Sequence, residues 1–127
     1  MKNRDIVANF NNLYGIIGKN DKYPVKLSFA IAKNLKMLEP LVKDFEEEKN
    51  KILELYCLRN LDGTFQRKKN GEYEIQEVYK QEWEENMKEL LEIDVKVEPH
   101  MVSTNDYPED IEPAVILALG FMTQNES

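Results

Sequence analysis

Two side chains of this 127-residue chain could serve as nucleophile or base: Cys57, the only cysteine, and His100, the only histidine. A nucleophilic cysteine needs a base beside it, normally histidine, and a metal or acid–base centre usually gathers more than one imidazole. The two residues lie on distant segments, so His100 reads as a surface residue just past a strand. Cys57 reads as a small, partly buried apolar residue on a helix. Neither is expected to be catalytic.

The carboxylates are more numerous. Asp106, Glu109, Asp110 and Glu112 make an acidic loop. It lacks the alternating Asp/Asn, central Gly and closing Glu of a calcium loop, so it reads as solvated, an opportunistic cation being the alternative. Glu46-Glu47-Glu48 and the glutamates around Trp83 fall on helices, where paired carboxylates without a substrate cleft usually face water. Arg67-Lys68-Lys69, flanked by Phe65 and Tyr73, is the one basic cluster. It could touch phosphate or RNA, although a solubilising tip or a polar protein contact suits an acidic molecule better. The five glycines form no phosphate-cradling loop. No set of nucleophile, base and oxyanion group is complete, so no enzyme, cofactor or metal is expected.

The net charge of −7 and the pI of about 4.8 disfavour direct nucleic-acid or membrane binding, both of which need a positive surface. They permit a partner that is itself basic, including a nucleic-acid enzyme. One cysteine excludes an intramolecular disulfide and suits a reducing cytosol. No apolar run is long enough to span a bilayer, and polar residues follow the N-terminus in place of an apolar signal core.

The elements that must carry these groups follow from periodicity. Ile6, Phe10, Leu13 and Ile17 predict a first helix over 4–17, with Asn3 as N-cap. Gly18-Lys19-Asn20-Asp21 reads as a loop, and Pro24 opens the next helix. Ile31, Leu35, Leu38, Val42, Phe45, Lys49, Ile52 and Tyr56 step by four and three, the seam of a helix that packs lengthwise on another. That helix is expected over 25–58. Pro40 kinks it rather than breaks it, because the seam keeps phase across the site. Asp62-Gly63 and above all Asn70-Gly71 are turn signals, the latter predicting a short β-hairpin. Tyr79, Trp83, Met87 and Leu90 give a helix over 76–91 one apolar face, to lie antiparallel on the second helix, with Trp83 or Met87 against Phe45. Ile93 to Glu98 alternates as a half-buried strand, and Pro113 starts a short last helix over 114–119. A polar tail follows from Thr123 to Ser127. There is no internal repeat. The fold class is α+β, one domain over 1–127.

The order of several segments resembles a known family. They are Tyr23 to Asn34, Asp44-Phe45-Glu46-Glu47-Glu48, Asp62-Gly63, Gly71-Glu72-Tyr73-Glu74-Ile75, Val95-Lys96-Val97-Glu98 and Ala118-Leu119-Gly120-Phe121-Met122. Together, over 23–122, they resemble a family of small uncharacterised proteins of bacteriophages and prophages of Gram-positive bacteria. The resemblance implies expression in the host cell cytoplasm and brings no catalytic residues. A helical hairpin capped by a β-hairpin also resembles prefoldin-like subunits in architecture alone. The expected function is non-enzymatic protein–protein binding, as an inhibitor or modulator of a host enzyme or defence complex. Its acidic face is expected at Glu46, Glu47, Glu82 and Glu85. The alternative is a phage structural protein or tail-assembly chaperone, with the apolar seam or the last helix as a homo-oligomer or partner surface.

Overall fold

The computed structural model describes residues 1–18 and 22–124; the expected loop at 19–21 and the end of the polar tail at 125–127 lie outside the described residues. The fold is mostly helical, with a small two-stranded parallel sheet, and is α+β. Its α-helices are α1 (Asn3–Ile17), α2 (Val25–Tyr56), α3 (Lys80–Glu92) and α4 (Pro113–Leu119). Strands β1 (Val102–Ser103) and β2 (Thr123–Gln124) pair with Val102 opposite Thr123 and Ser103 opposite Gln124. Single 3₁₀ turns occupy Glu77–Tyr79, Thr104–Asp106 and Gly120–Met122. No helix among the described residues is long and apolar enough to cross a membrane.

Helix α2 is unbroken at Pro40. The proline has no N–H to give the carbonyl four residues before it, and its side of the helix faces solvent, where water can replace that bond. The helix ends at Tyr56 because the chain next turns extended: the Gln76 N–H donates to the Tyr56 carbonyl at 2.9 Å.

By its packing the chain divides into two compact units, Met1–Val42 with Asp94–Ser127, and Lys43–Ile93. The core of the first joins Ile6, Leu13 and Ile16 of α1 to Leu27, Ala30, Ile31 and Leu38 of α2. Val115, Ala118 and Leu119 of α4, with Val102 and Met122, complete it. Each buried Ile, Leu, Val or Met among them contributes about 1.5–3 kcal/mol by leaving water. The apolar face of α1 therefore passes through Ile16, and Ile17 is partly exposed. Asn3 is not the N-cap. It is buried inside the helix, and Lys2 occupies the cap. The cause is pairing with Val95: the Met1 nitrogen donates to the Val95 carbonyl at 2.9 Å and the Val95 N–H donates back to the Met1 carbonyl at 2.8 Å. That exchange holds residues 1 and 2 extended until the helix begins. It also accounts for the expected strand at 93–98, which reduces to one bridge between Lys2 and Asp94. Val95 and Val97 still pack half-buried on the core.

The second unit centres on Leu53, Cys57 and Ile75, with Tyr56, Phe65, Tyr73 and Trp83 packed around them. Phe45 is buried in this unit as well. Extended strands are absent from 57–76 and isolated antiparallel bridges take their place: Cys57 with Ile75, Arg59 with Phe65, Arg67 with Tyr73. Three backbone bonds close a ring: Gln66 N–H to the Leu58 carbonyl, Glu74 N–H to that of Gln66, and Leu58 N–H to that of Glu74, at 2.8, 2.8 and 2.9 Å.

This segment corrects the expectation of no internal repeat, because 58–65 and 66–73 are built alike. In each, an arginine lies over the closing aromatic ring, Arg59 at 5.0 Å from Phe65 and Arg67 at 4.0 Å from Tyr73. Each arginine also donates to a turn glycine carbonyl, at 3.3 Å to Gly63 and 2.8 Å to Gly71. Both glycines sit at positive φ, +86° and +90°. The preceding Asp62 or Asn70 side chain accepts from the residue after the glycine, each at 3.0 Å. Only the arginine and glycine are identical between the two copies, which is why the repeat is hard to see in the sequence.

Candidate functional site

The four glutamates expected to bind a partner all lie in the second unit, which has nine basic and fourteen acidic residues and so holds −5 of the chain's −7 charge. Their surroundings differ. Glu46 is half-buried, with its carboxylate 3.3 Å from the Lys49 ammonium. Glu47 is exposed and has no ion pair among the described residues; the neighbouring Glu48 takes Lys51 at 2.9 Å. On α3, Glu82 and Glu85 are both exposed and one helical turn apart. The Gln81 amide donates to the Glu85 carboxylate at 3.2 Å, and the Asn86 amide donates to the Glu82 carbonyl at 2.9 Å. Glu47, Glu82 and Glu85 are thus solvent-facing, while Glu46 belongs partly to a salt bridge. Lys49, the one polar residue in the α2 seam, lies 5.4 Å from the centre of the Tyr73 ring. It is accommodated at the seam by a cation–π contact and by Glu46.

Cys57 is buried. Its Sγ donates to the carbonyls of Leu58 at 3.3 Å and Gln66 at 3.7 Å. Burial pushes the thiol up from its ordinary value, although the neighbouring backbone groups and Arg59 pull the other way. A raised thiol is a poor nucleophile. In the loop at 106–112, Asp106 closes a capping box: its carboxylate accepts from the Ser103 N–H at 3.2 Å and the Ser103 hydroxyl accepts from the Asn105 N–H at 3.1 Å. Among the described residues no group of three or more His, Cys, Asp or Glu is gathered to hold a metal ion.

His100 is exposed but far from free-standing. The Asn34 side chain is fully buried in α2 and brackets the His100 backbone. Its Nδ2 donates to the His100 carbonyl at 2.9 Å and its Oδ1 accepts from the His100 N–H at 2.7 Å. Nδ2 also approaches Met122 Sδ at 3.3 Å. The imidazole meets the Phe29 ring edge-on at 5.7 Å. This anchored segment forms one wall of an open groove of about 800 Å³ in the first unit, lined by Phe29, Ala32, Lys33, Met37, Pro99 and His100 among others. In the sequence Asn34 is a polar residue on the stripe Leu27, Ile31, Leu38, whereas the four-and-three seam passes through Leu35. A second hollow of about 500 Å³ lies in the second unit beside Arg67, Tyr73 and Trp83. There Arg67 is already engaged by the Tyr73 hydroxyl at 2.7 Å and by the ring beneath it.

Comparison with models of protein families, with curated proteins and with solved structures returns no match for this chain.

Proposed function

We propose that this chain is a non-enzymatic binding protein that occupies a basic surface of another protein, in the manner of an inhibitor or modulator of a nucleic-acid-handling enzyme or defence complex. The observation that carries this reading is the set of solvent-facing carboxylates Glu47, Glu82 and Glu85, which have no ion pair among the described residues, in a unit that holds −5 of the −7 charge. Carboxylates displayed on helices repel nucleic acid and attract cationic channels, giving fast and salt-sensitive association. Glu46 joins them when a partner's cation displaces Lys49. In this reading the surface is a helical hairpin: the C-terminal half of α2 and α3 lie antiparallel, joined by the paired turns of 58–73. Support comes from the tilted contact of Tyr56 with Tyr79 at 5.4 Å and from the Asn86 amide donating to the Tyr56 hydroxyl at 3.2 Å. The resemblance to phage proteins supplies the setting, the cytoplasm of a Gram-positive host. The test is capture from host lysate on the immobilised chain, followed by elution with double-stranded DNA. The reading expects DNA to displace the captured enzyme. An enzyme that stays bound under excess DNA refutes occupation of its nucleic-acid channel.

A second reading, a virion or tail-assembly accessory protein, is favoured by α4, where Ile116 and Leu117 are 42% and 82% exposed side by side. It expects concentration-dependent self-association in sedimentation velocity, lost on Leu117→Lys.

A further inference from the structure

We infer that the groove between the first turns of α2 and the segment 98–100 is a docking site for an acidic peptide segment that carries an apolar side chain. This site is separate from the carboxylate surface and takes the opposite charge. Its apolar lining comes from Ala32, Met37, Pro99 and the ring of Phe29. Phe29 is 57% exposed, a large aromatic left uncovered by the first unit's own core. Two exposed lysines, Lys33 and Lys36, also line it. The only carboxylate in the lining, Glu98, lies 3.9 Å from Lys96. Among the described residues Lys33 and Lys36 have no ion pair, and Lys33 rests 5.7 Å from the centre of the Phe29 ring.

Three features select the occupant. An apolar ligand alone leaves the two ammonium groups with water as their partner, whereas carboxylates on the same ligand form charge-assisted bonds with them. A stacking nucleobase would compete with Lys33, which lies over one face of the Phe29 ring, and with His100, which meets the ring edge-on. Finally, the wall is set before any ligand arrives. The buried Asn34 amide holds the His100 backbone by both its N–H and its carbonyl, so little ordering cost falls on binding. A fully buried polar side chain used to fix an exposed segment is what a preformed site requires.

The probe is a short fluorescein-labelled peptide of alternating glutamate and leucine, titrated with the full chain by fluorescence anisotropy. The same peptide with lysine for glutamate and a labelled oligo-dT run in parallel. Saturable binding of the acidic peptide alone is expected. Lys33→Glu with Lys36→Glu should weaken it at least about tenfold, and Phe29→Ala about fivefold or more. These side chains are solvent-facing, and circular dichroism checks that each variant is folded. Amide shift mapping on the unaltered chain gives a readout independent of the variants, with perturbations expected at 29–37 and 98–100. The inference is overturned by absence of saturable binding, by preference for oligo-dT or the basic peptide, or by shifts confined elsewhere. It is equally overturned if either variant binds like the parent; insensitivity to Phe29 alone would reduce the effect to simple charge attraction.

Discussion

Replacing Asn34 by alanine tests whether a single buried amide holds the segment that carries His100. The change removes two hydrogen bonds to the His100 backbone, at 2.9 and 2.7 Å, and leaves that N–H and carbonyl facing a small void. A net loss of about 1 kcal/mol per bond, with a further penalty for groups left unsatisfied, gives about 2–4 kcal/mol. For a domain of this size that corresponds to a fall in Tm of roughly 6–15 °C. Urea unfolding followed by far-UV circular dichroism measures the energy, and hydrogen exchange measures the cause, because the His100 amide should lose its protection. Asn34→Asp separates the two halves of the bracket. It keeps an acceptor for the His100 N–H but no donor for the carbonyl, and it buries a charge. Burial raises such a carboxyl, so the variant should recover stability as pH falls, when the neutral acid regains an O–H donor. A loss below 1 kcal/mol for Asn34→Ala, with His100 still protected, would refute the bracket.

Phe45→Ala should cost about 3–5 kcal/mol, since Phe45 is 6% exposed; a loss under 1 kcal/mol in chemical denaturation would mean that this part of the seam carries little of the fold. Gly71→Ala, at φ +90°, should cost about 1–2 kcal/mol through backbone strain, and a neutral result would show that the turn relaxes. Cys57 should react with a thiol reagent far more slowly in the native chain than in urea. Its raised thiol contributes stability that is present below the ordinary value of 9.0 and is lost as pH rises through the higher folded value. Cys57→Ala should therefore flatten the alkaline limb of the stability profile, and an unchanged limb contradicts the assignment.

What the sequence revealed divides along physical lines. Long-period signals survived. The helix over α2, the start of α4 at Pro113 and the burial of Ile31, Leu38 and Phe45 follow from apolar spacing that only packing against a core can use. Features set by pairing between distant residues did not. The strand expected at 93–98 alternates correctly, yet among the described residues its strand pairing is confined to Met1 and Lys2. The real strands, β1 and β2, are two residues each and too short for any periodicity to announce. The paired turns were half visible: Asp62-Gly63 and Asn70-Gly71 were recognisable as turns. Their common build depends on arginine–ring contacts that only folding brings about. The groove was invisible for the same reason, since Phe29 and His100 are far apart in the chain. The carboxylates were plain from composition, but that Glu46 is drawn toward Lys49 while Glu47 is not required the helix in place.

The claim most open to direct measurement is that the exposed carboxylates bind a basic partner. The purified partner, identified by capture, is titrated against the parent chain and against a variant with Glu46, Glu47, Glu82 and Glu85 all changed to Gln. Association rates are recorded over a salt series that crosses physiological strength, where the Debye length is about 8 Å. The account predicts that the parent's association rate falls on the order of tenfold with rising salt and that the variant starts slow and stays nearly flat. Equal rates for the two proteins, unchanged by salt, would contradict it.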